Sequence, residues 1–393
     1  MLRKFLFVVL VLLFSVFSCP KDRPGVPKKE VFPAPEPRQV SITIAAMGDF
    51  LMHLPVVYSV KDPLTGRFEF GKIFFPVKEL IAGADYSIAN LETRLAGAAA
   101  GYSGYPRFNC PADLAAEMHA CGLDMFLTAN NHSLDKGVEG VIATIRNLAA
   151  AGMDHVGTYA SAEERAQPFL KDIKGVKVGI LNYTSSTNGL PVPKDKPYLV
   201  NLIDRPVMLE EIKKMQQAGA DVIIACLHFG TEYSRSPGKE QRDLVNFLFQ
   251  SGVDIVLGNH PHVVQPVQFR TVTENGVPKK KFVVYSLGNF ISNQRWRYSD
   301  SGLLVNLRIT KNLDDGETFL EDVELIPVWV DTYRARGRYN YRVLPVDEAI
   351  KNYEEGSDPL LTAADYQRLK QVAEELGPDF LFLMEDALEI AKQ

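Results

Sequence analysis

Five times along this chain, an apolar segment of strand length runs into a side chain of the kind that binds metal. Ile42-Thr43-Ile44-Ala45-Ala46-Met47 leads to Gly48-Asp49, with His53 close behind, and Asp85-Tyr86-Ser87-Ile88-Ala89 leads to Asn90-Leu91-Glu92. Asp124-Met125-Phe126-Leu127-Thr128-Ala129 leads to Asn130-Asn131-His132, and Asp221-Val222-Ile223-Ile224-Ala225-Cys226-Leu227 leads to His228. Val253-Asp254-Ile255-Val256-Leu257 leads to Gly258-Asn259-His260-Pro261-His262. Short apolar runs bounded in this way read as buried strands. In open α/β sheets, ligands gather beyond the carboxyl ends of the strands. Taken alone, His260-Pro261-His262 is as well explained by two ordinary loop histidines. The recurrence of the arrangement favours ligands.

Helical segments fit between these strands. Strands are expected at 41–48, 85–90, 123–129, 176–182, 221–227 and 253–258, and helices near 75–82 and at 111–121, 137–151, 207–218 and 238–251. Pro111 and Asp113 suit a helix opening, and Gly122, Gly152, Gly219 and Gly252 stand where helices would stop. This alternation is that of an α/β protein. After His262 the chain turns β-rich, at 264–270, 281–287, 302–309 and 321–330, with Asn275-Gly276 as a turn. Residues 345–393 read as helical. With 46% apolar residues in 393, there is enough to bury a large core. The net charge is −5 and the body has no strong basic run, which removes the electrostatic footprint of nucleic-acid binding.

The first residues carry a separate message. Arg3-Lys4 followed by the apolar run Phe5 to Phe17 has the charged start and short apolar core of a secretory signal. It is shorter than the roughly 20 residues a membrane span needs. Val16-Phe17-Ser18-Cys19 is similar to a bacterial lipobox, which implies cleavage after residue 18 and lipid attachment at Cys19. The alternative is plain secretion with an incidental cysteine. Residues 19–39, rich in Pro, Lys and Glu, read as a semi-extended tether. Cys110 and Cys121 flank a helix and would lie roughly 16 Å apart at about 1.5 Å per residue. That is beyond disulfide reach of about 7 Å. Cys226 reads as a buried apolar residue.

Oxygen and nitrogen donors without thiolate suit manganese, iron or zinc. Asp49, His53, Asn90, Glu92, Asn131, His228, His260 and His262 are the candidate ligands, more than one tetrahedral ion needs and enough for two ions sharing a carboxylate. Two ions about 3.5–4 Å apart generate hydroxide near neutral pH and stabilise attacking and leaving oxygens. His132 would turn away from Asn131 and protonate a leaving group, with Asp135 as its orienting partner. Glu232 and Tyr233 are expected to support His228. His119 and His155 read as structural. The hydroxyl-rich loop 182–189 is open between substrate contact and a cap on the sheet. Arg107, Arg295 and Arg297 are open between binding carboxylate or phosphate and a solvated surface role, and Asn289 between lining the site and a turn role with Gly288.

Gly48-Asp49, Asn90-Leu91-Glu92, Asn130-Asn131-His132, His228-Phe229-Gly230-Thr231-Glu232-Tyr233, His260-Pro261-His262 and Ser286-Leu287-Gly288-Asn289-Phe290 occur in that order, over roughly residues 41–295. In these motifs the chain resembles the bacterial capsule-synthesis proteins of the CapA/PGA_cap family, which is associated with poly-γ-glutamate and is similar to calcineurin-like metallophosphoesterases. The resemblance implies a sandwich of two central sheets flanked by helices over 40–330, followed by a C-terminal helical extension at 331–393. The Asp-x-His of the wider phosphoesterase pattern becomes Asp49-x-x-x-His53. Its second aspartate is replaced around Asn90 and Glu92, with Glu92 preferred as the bridge. Two functions follow as expectations. One is an exported, lipid-anchored, metal-dependent hydrolase acting on an anionic envelope polymer or its phosphorylated precursor. The other is a non-catalytic, membrane-tethered assembly or export factor that binds the polymer through the metal site. Membrane proteins of capsule synthesis are the expected partners.

If Cys19 carries the anchor, Cys19→Ala should leave the protein unprocessed or release it from membranes on fractionation. Unchanged processing and attachment would point to a retained apolar helix.

Overall fold

The computed structural model describes residues 38–274, 276–335 and 337–382. The expectations for Cys19, for the signal and for most of the tether lie outside them, as does Asn275. In chain order the strands are β1 (Gln39–Phe50), β2 (Tyr86–Asn90), β3 (Met125–Leu127), β4 (Asp154–Val156), β5 (Leu170–Ile173), β6 (Val176–Thr184) and β7 (Val222–His228). They continue with β8 (Ile255–Asn259), β9 (Val264–Glu274), β10 (Val277–Leu287), β11 (Asn289–Ile291), β12 (Ser301–Asn312), β13 (Thr318–Ala335) and β14 (Arg338–Pro345). One sheet runs β14-β13-β12-β1-β2-β3-β4, with β11 also paired to β1; the other runs β5-β6-β7-β8-β10-β9.

The five ligand-bearing ends belong to two parallel sets. β1, β2, β3 and β4 are mutually parallel in the first sheet, and β6, β7 and β8 in the second. Their continuous apolar character has a simple cause, since both faces are covered. In β1, Ile42, Ile44 and Ala46 enter the core between the sheets, while Ala45 and Met47 enter the layer under the outer helices. In β7, Ile224 and Cys226 face the inter-sheet core, and Ile223, Ala225 and Leu227 face the helices Arg205–Gln217 and Lys239–Gln250. The expected two-sheet α/β sandwich with helices outside is therefore the fold.

The differences have physical reasons. The helix expected near 75–82 is three short pieces, Gly71–Phe74, Phe75–Val77 and Lys78–Ala82, because Pro76 has no N–H to continue an α-helix. β4 and β5, only 3 and 4 residues long, carry too few residues to show a period. The boundary expected at 330/331 falls inside β13, which pairs through Ala335 with β14. The helical segment therefore starts at Val346, with Val346–Glu354, Ala363–Glu375 and Pro378–Phe382. β14 offers no apolar run in its first half, where Arg338, Asn340 and Arg342 on one face alternate with Tyr339 and Tyr341 on the other.

These last helices hold the loops around the site. Arg368 makes a two-pronged contact with Asp300 at 2.8 and 2.9 Å. Arg235 stacks on Tyr298 and Phe380 and donates to the Glu375 carbonyl at 2.7 Å. Cys110, Cys121 and Cys226 are buried free thiols. Among the described residues no helix is long and apolar enough to cross a membrane. Leu257, 1% exposed in the inter-sheet core, supports the strand that delivers His260. Leu257→Ala should lower the unfolding free energy by about 2–5 kcal/mol, measured by chemical denaturation; a change near zero would mean that this core does not hold the two sheets together.

Candidate metal centre

Two glycines allow the strand ends to meet. A Cβ on Gly48 would lie 2.0 Å from the Gly288 carbonyl oxygen, and one on Gly258 would lie 1.9 Å from that of Tyr285. This close approach lets Asp49 N donate to Gly288 O at 2.9 Å and brings β1 against the segment after β10. Beyond β8, His260 and His262 both have left-handed backbone, φ +100° and +58°, on either side of Pro261. Such conformations are costly for non-glycine residues and persist where the surroundings enforce them. Here Tyr233 N donates to Pro261 O at 2.8 Å, and Asp49 Oδ2 accepts from His260 N at 3.4 Å.

The result is a buried cluster from both sheets. His228 Nε2 lies 3.1 Å from Asn131 Oδ1, 3.2 Å from His260 Nδ1 and 3.5 Å from Glu92 Oε1. His262 Nδ1 lies 3.1 Å from Asp49 Oδ2, and its Nε2 lies 3.7 Å from Glu92 Oε1. Two groups of ligand atoms, each within 4.8 Å of one another, result: Glu92, His228 and His260, and Asp49, Glu92 and His262. Asn131 adds an amide oxygen to the first. Glu92 belongs to both.

Glu92 is also the test of fit. It is wholly buried, and neither carboxylate oxygen has a hydrogen-bond partner. A buried carboxylate without donors is costly unless it is neutralised, paired or bound to a metal. A divalent cation between oxygen and imidazole nitrogen donors would satisfy it, and the donor set suits manganese, iron or zinc.

The electrostatics agree. Burial pushes the Glu92 carboxyl up to about 8, against the pull of His262 and with the push of Asp49. Burial holds His228 down at about 3 and His260 at about 2, so both imidazoles are neutral, as ligands must be. At His262 burial opposes the charge, but Glu92 and the bonded Asp49 carry it up to about 9. At Asp49 burial raises the carboxyl, and His262 with its hydrogen bond outweighs this and lowers it.

Two expected ligands stand elsewhere. Asn90 turns its amide nitrogen to Asp49 Oδ1 at 2.7 Å and His228 Nδ1 at 3.3 Å, so it braces two ligand residues from behind. His53 is outside both ligand groups. Its Nδ1 lies 3.1 Å from Leu51 O and 3.3 Å from the Asn293 N–H. The cause is the intervening Phe50-Leu51-Met52, all buried, with Phe50 paired to β11; the chain has already passed the cluster when His53 emerges.

His132 stands beside the cluster. Its Nδ1 is 2.8 Å from Asp135 Oδ2, and its Nε2 is 3.5 Å from Asn188 Nδ2, within the hydroxyl-rich loop. Phe108 packs edge-on against both His132 and His53, with ring centroids 4.7 and 5.2 Å apart, and its N–H donates to Asp135. Tyr233 braces the Pro261 turn instead of His228, and Glu232 lines a neighbouring cavity of about 570 Å³. Asn289, a residue left open, accepts from His262 Nδ1 at 3.1 Å. His155 pairs with Glu164.

Sequence reasoning missed Arg94. It is fully buried, donates to Leu91 O at 3.0 Å, and leaves Nε and Nη1 without partners. Burial lowers it to about 10, against the pull of Asp135 and Glu92. Its position two residues after Glu92 carried no signal of burial. Phe108 was also beyond reach, since it lies in no strand-end motif, whereas Asn188 belongs to the loop 182–189 left open to substrate contact.

Fold and site together define a two-sheet α/β sandwich whose strand ends bring carboxylate and imidazole donors to one place. The chain belongs to the bacterial capsule synthesis protein family PGA_cap, whose model matches residues 43–294. It is 26% identical over 305 residues to the capsule biosynthesis protein CapA of Bacillus anthracis, across 75% of this chain and 70% of that one. It is 30% identical over 187 residues to the PGA biosynthesis protein CapA of Bacillus subtilis (strain 168), across 47% of each. Among solved structures it is similar to the calcineurin-like phosphoesterase YfkN from Bacillus subtilis, at 20% identity and a TM-score of 0.45, across 74% of this chain and 91% of that one.

Metal ligands must be deprotonated, and the metal-free cluster holds protons up to about 8 at Glu92 and about 9 at His262. Zinc binding at pH 7 should therefore release protons, and affinity should rise with pH until about 9 and then level. Calorimetry in two buffers of different ionisation enthalpy measures the release; heats that do not depend on the buffer would count against this protonation pattern.

Proposed function

We propose that this protein is an exported, lipid-anchored, metal-dependent hydrolase that acts in the synthesis or processing of an anionic envelope polymer. The observation that carries the reading is the orphaned carboxylate of Glu92, set between two donor groups, with the His132–Asp135 pair alongside. The polymer class comes from the family and its relatives, which include a probable polyglutamine synthesis accessory protein of Mycobacterium tuberculosis. The anchor rests on Cys19.

In this reading Glu92, Asn131, His228 and His260 hold one divalent ion, and Asp49, Glu92 and His262 the other. Bound there, the ions would supply Lewis acidity and an activated water. Asn90 fixes Asp49 and His228, and Asn289 orients the His262 ring. Asp135 accepts from His132 Nδ1, which leaves Nε2 to deliver a proton to the leaving group as the bond breaks. Phe108 limits the movement of His132 and dries one side of it, and Asn188 sits where a leaving group would lie.

The non-catalytic alternative has no need of an oriented imidazole beside the donors, and that difference sets the test. Purified full-length protein with Mn²⁺ should turn over members of a panel of phosphoesters and γ-glutamyl amides. His132→Ala should retain its metals by elemental analysis and lose about 10²–10⁴-fold in rate. Metal loss in that variant would make His132 a ligand. Binding of poly-γ-glutamate with no turnover of any substrate would establish the assembly factor instead.

A further inference from the structure

We propose that the two positions of the centre are unequal. The position formed by Glu92, Asn131, His228 and His260 holds a resident ion. The position formed by Asp49, Glu92 and His262 takes its ion loosely, and His53 is a wall of the adjoining cavity and not its fourth ligand. The inference rests on the metal-dependent reading above, but concerns how the chain's own donors divide.

Donor number is the first argument. The resident position is offered one carboxylate, one amide oxygen and two imidazoles, a full tetrahedral set for zinc. Asn131 Oδ1, His260 Nδ1 and Glu92 Oε1 all lie within 3.5 Å of His228 Nε2. The other position is offered three residues. The histidine expected to complete it is engaged elsewhere: His53 Nδ1 faces Leu51 O and the Asn293 N–H, and its ring rests edge-on against Phe108.

Availability is the second. Two carboxylates would ordinarily draw a cation more strongly than one. Both Asp49 oxygens, however, are already occupied. Oδ1 accepts from Asn90 at 2.7 Å, and Oδ2 meets His262 Nδ1 at 3.1 Å and His260 N at 3.4 Å. An ion entering here must displace or share those contacts. Glu92, which both positions share, has no such partners, so the occupied oxygens of Asp49 are what separate the two.

Setting bears on His53. It lines a cavity of about 570 Å³ together with Tyr105, Glu232, Tyr233, Arg295 and Trp296. Asp49, Glu92 and His262, at 0%, 0% and 3% exposure, are buried and are not among the residues that line it. His53 therefore stands apart from the three donors, which leaves the loose position one ligand short.

Zinc titration of the full chain tests the proposal. Calorimetry should resolve two phases, the first at least about 10-fold tighter, the scale on which even outer contacts of a ligand change affinity. After dialysis against metal-free buffer, elemental analysis should find about one ion per chain. His260→Ala should abolish the tight phase. Asp49→Asn should abolish the weak phase alone. His53→Ala should change neither, and because His53 is partly exposed this variant remains informative if another fails to fold, as circular dichroism would reveal. Two phases of equal affinity, or a 10-fold weaker second phase in His53→Ala, overturns the proposal and leaves the hydrolase reading standing. Unequal binding without turnover overturns the hydrolase reading and leaves this one. No zinc binding overturns both.

Discussion

A fully buried carboxylate with no hydrogen-bond donor from the protein is the constraint on which this structure turns. Glu92 sits just past a short parallel strand, fully buried, with one imidazole from the end of β7 and one from the loop after β8 close to it. A lone buried charge of this kind costs several kcal/mol. Around it, polar groups from both sheets form a continuous set: Asn90 behind Asp49, Asn289 behind His262, and Asn130 donating to Leu91 O at 2.8 Å and so fixing the turn that presents Glu92. These contacts explain why so many asparagines stand at strand ends in this chain. Each offers donor and acceptor at once, so a single side chain can hold a carboxylate and a backbone group together.

The two sheets make the centre possible because neither could supply it alone. The first contributes Asp49, Glu92, Asn131 and, beside them, His132. The second contributes His228, His260 and His262. The inter-sheet core of Ile42, Ile44, Ala46, Ile224, Cys226, Ile255 and Leu257 sets their separation. Close-packed cores are stiff, so the ligand atoms inherit a spacing that loops alone would not maintain. The C-terminal helices add a second brace. Arg368 on Asp300, and Arg235 between Tyr298 and Phe380, tie the loops that border the cavity to a segment far away in sequence.

Much of this is legible in the sequence. Buried parallel strands announce themselves as short apolar runs, and each of the six expected in the α/β half is present. The helices that separate them end at glycines, as expected. Where the reading fell short, the reason was local information overridden by distant contacts. His53 looked like a ligand because it follows Asp49 closely. Burial of Phe50, Leu51 and Met52 carries the strand past the cluster first. Asn90 looked like a ligand because of its place at a strand end, and the rotamer that brings it to Asp49 and His228 depends on both sheets. The strand Arg338–Pro345 falls inside the expected helical extension at 331–393, because its first half has no apolar run, and only pairing with its neighbour makes it a strand.

By itself the sequence determined that strands would carry carboxylate, amide and imidazole to a common edge, because apolar period and terminal residue are both properties of consecutive positions. It also determined that the donor set is oxygen and nitrogen without sulfur, since no cysteine stands at a strand-end position and Cys226 lies inside the strand before His228. Which donors meet was decided only by tertiary structure. Placing Glu92 between His228 and His262 needs contacts across 136 and 170 residues of chain, read from their numbers. Leaving its oxygens without hydrogen bonds needs both sheets closed over it. The division into a four-donor and a three-donor position likewise exists only in the folded chain, because it depends on where His53 points, and that is set by the packing of three apolar residues against a strand more than two hundred positions away.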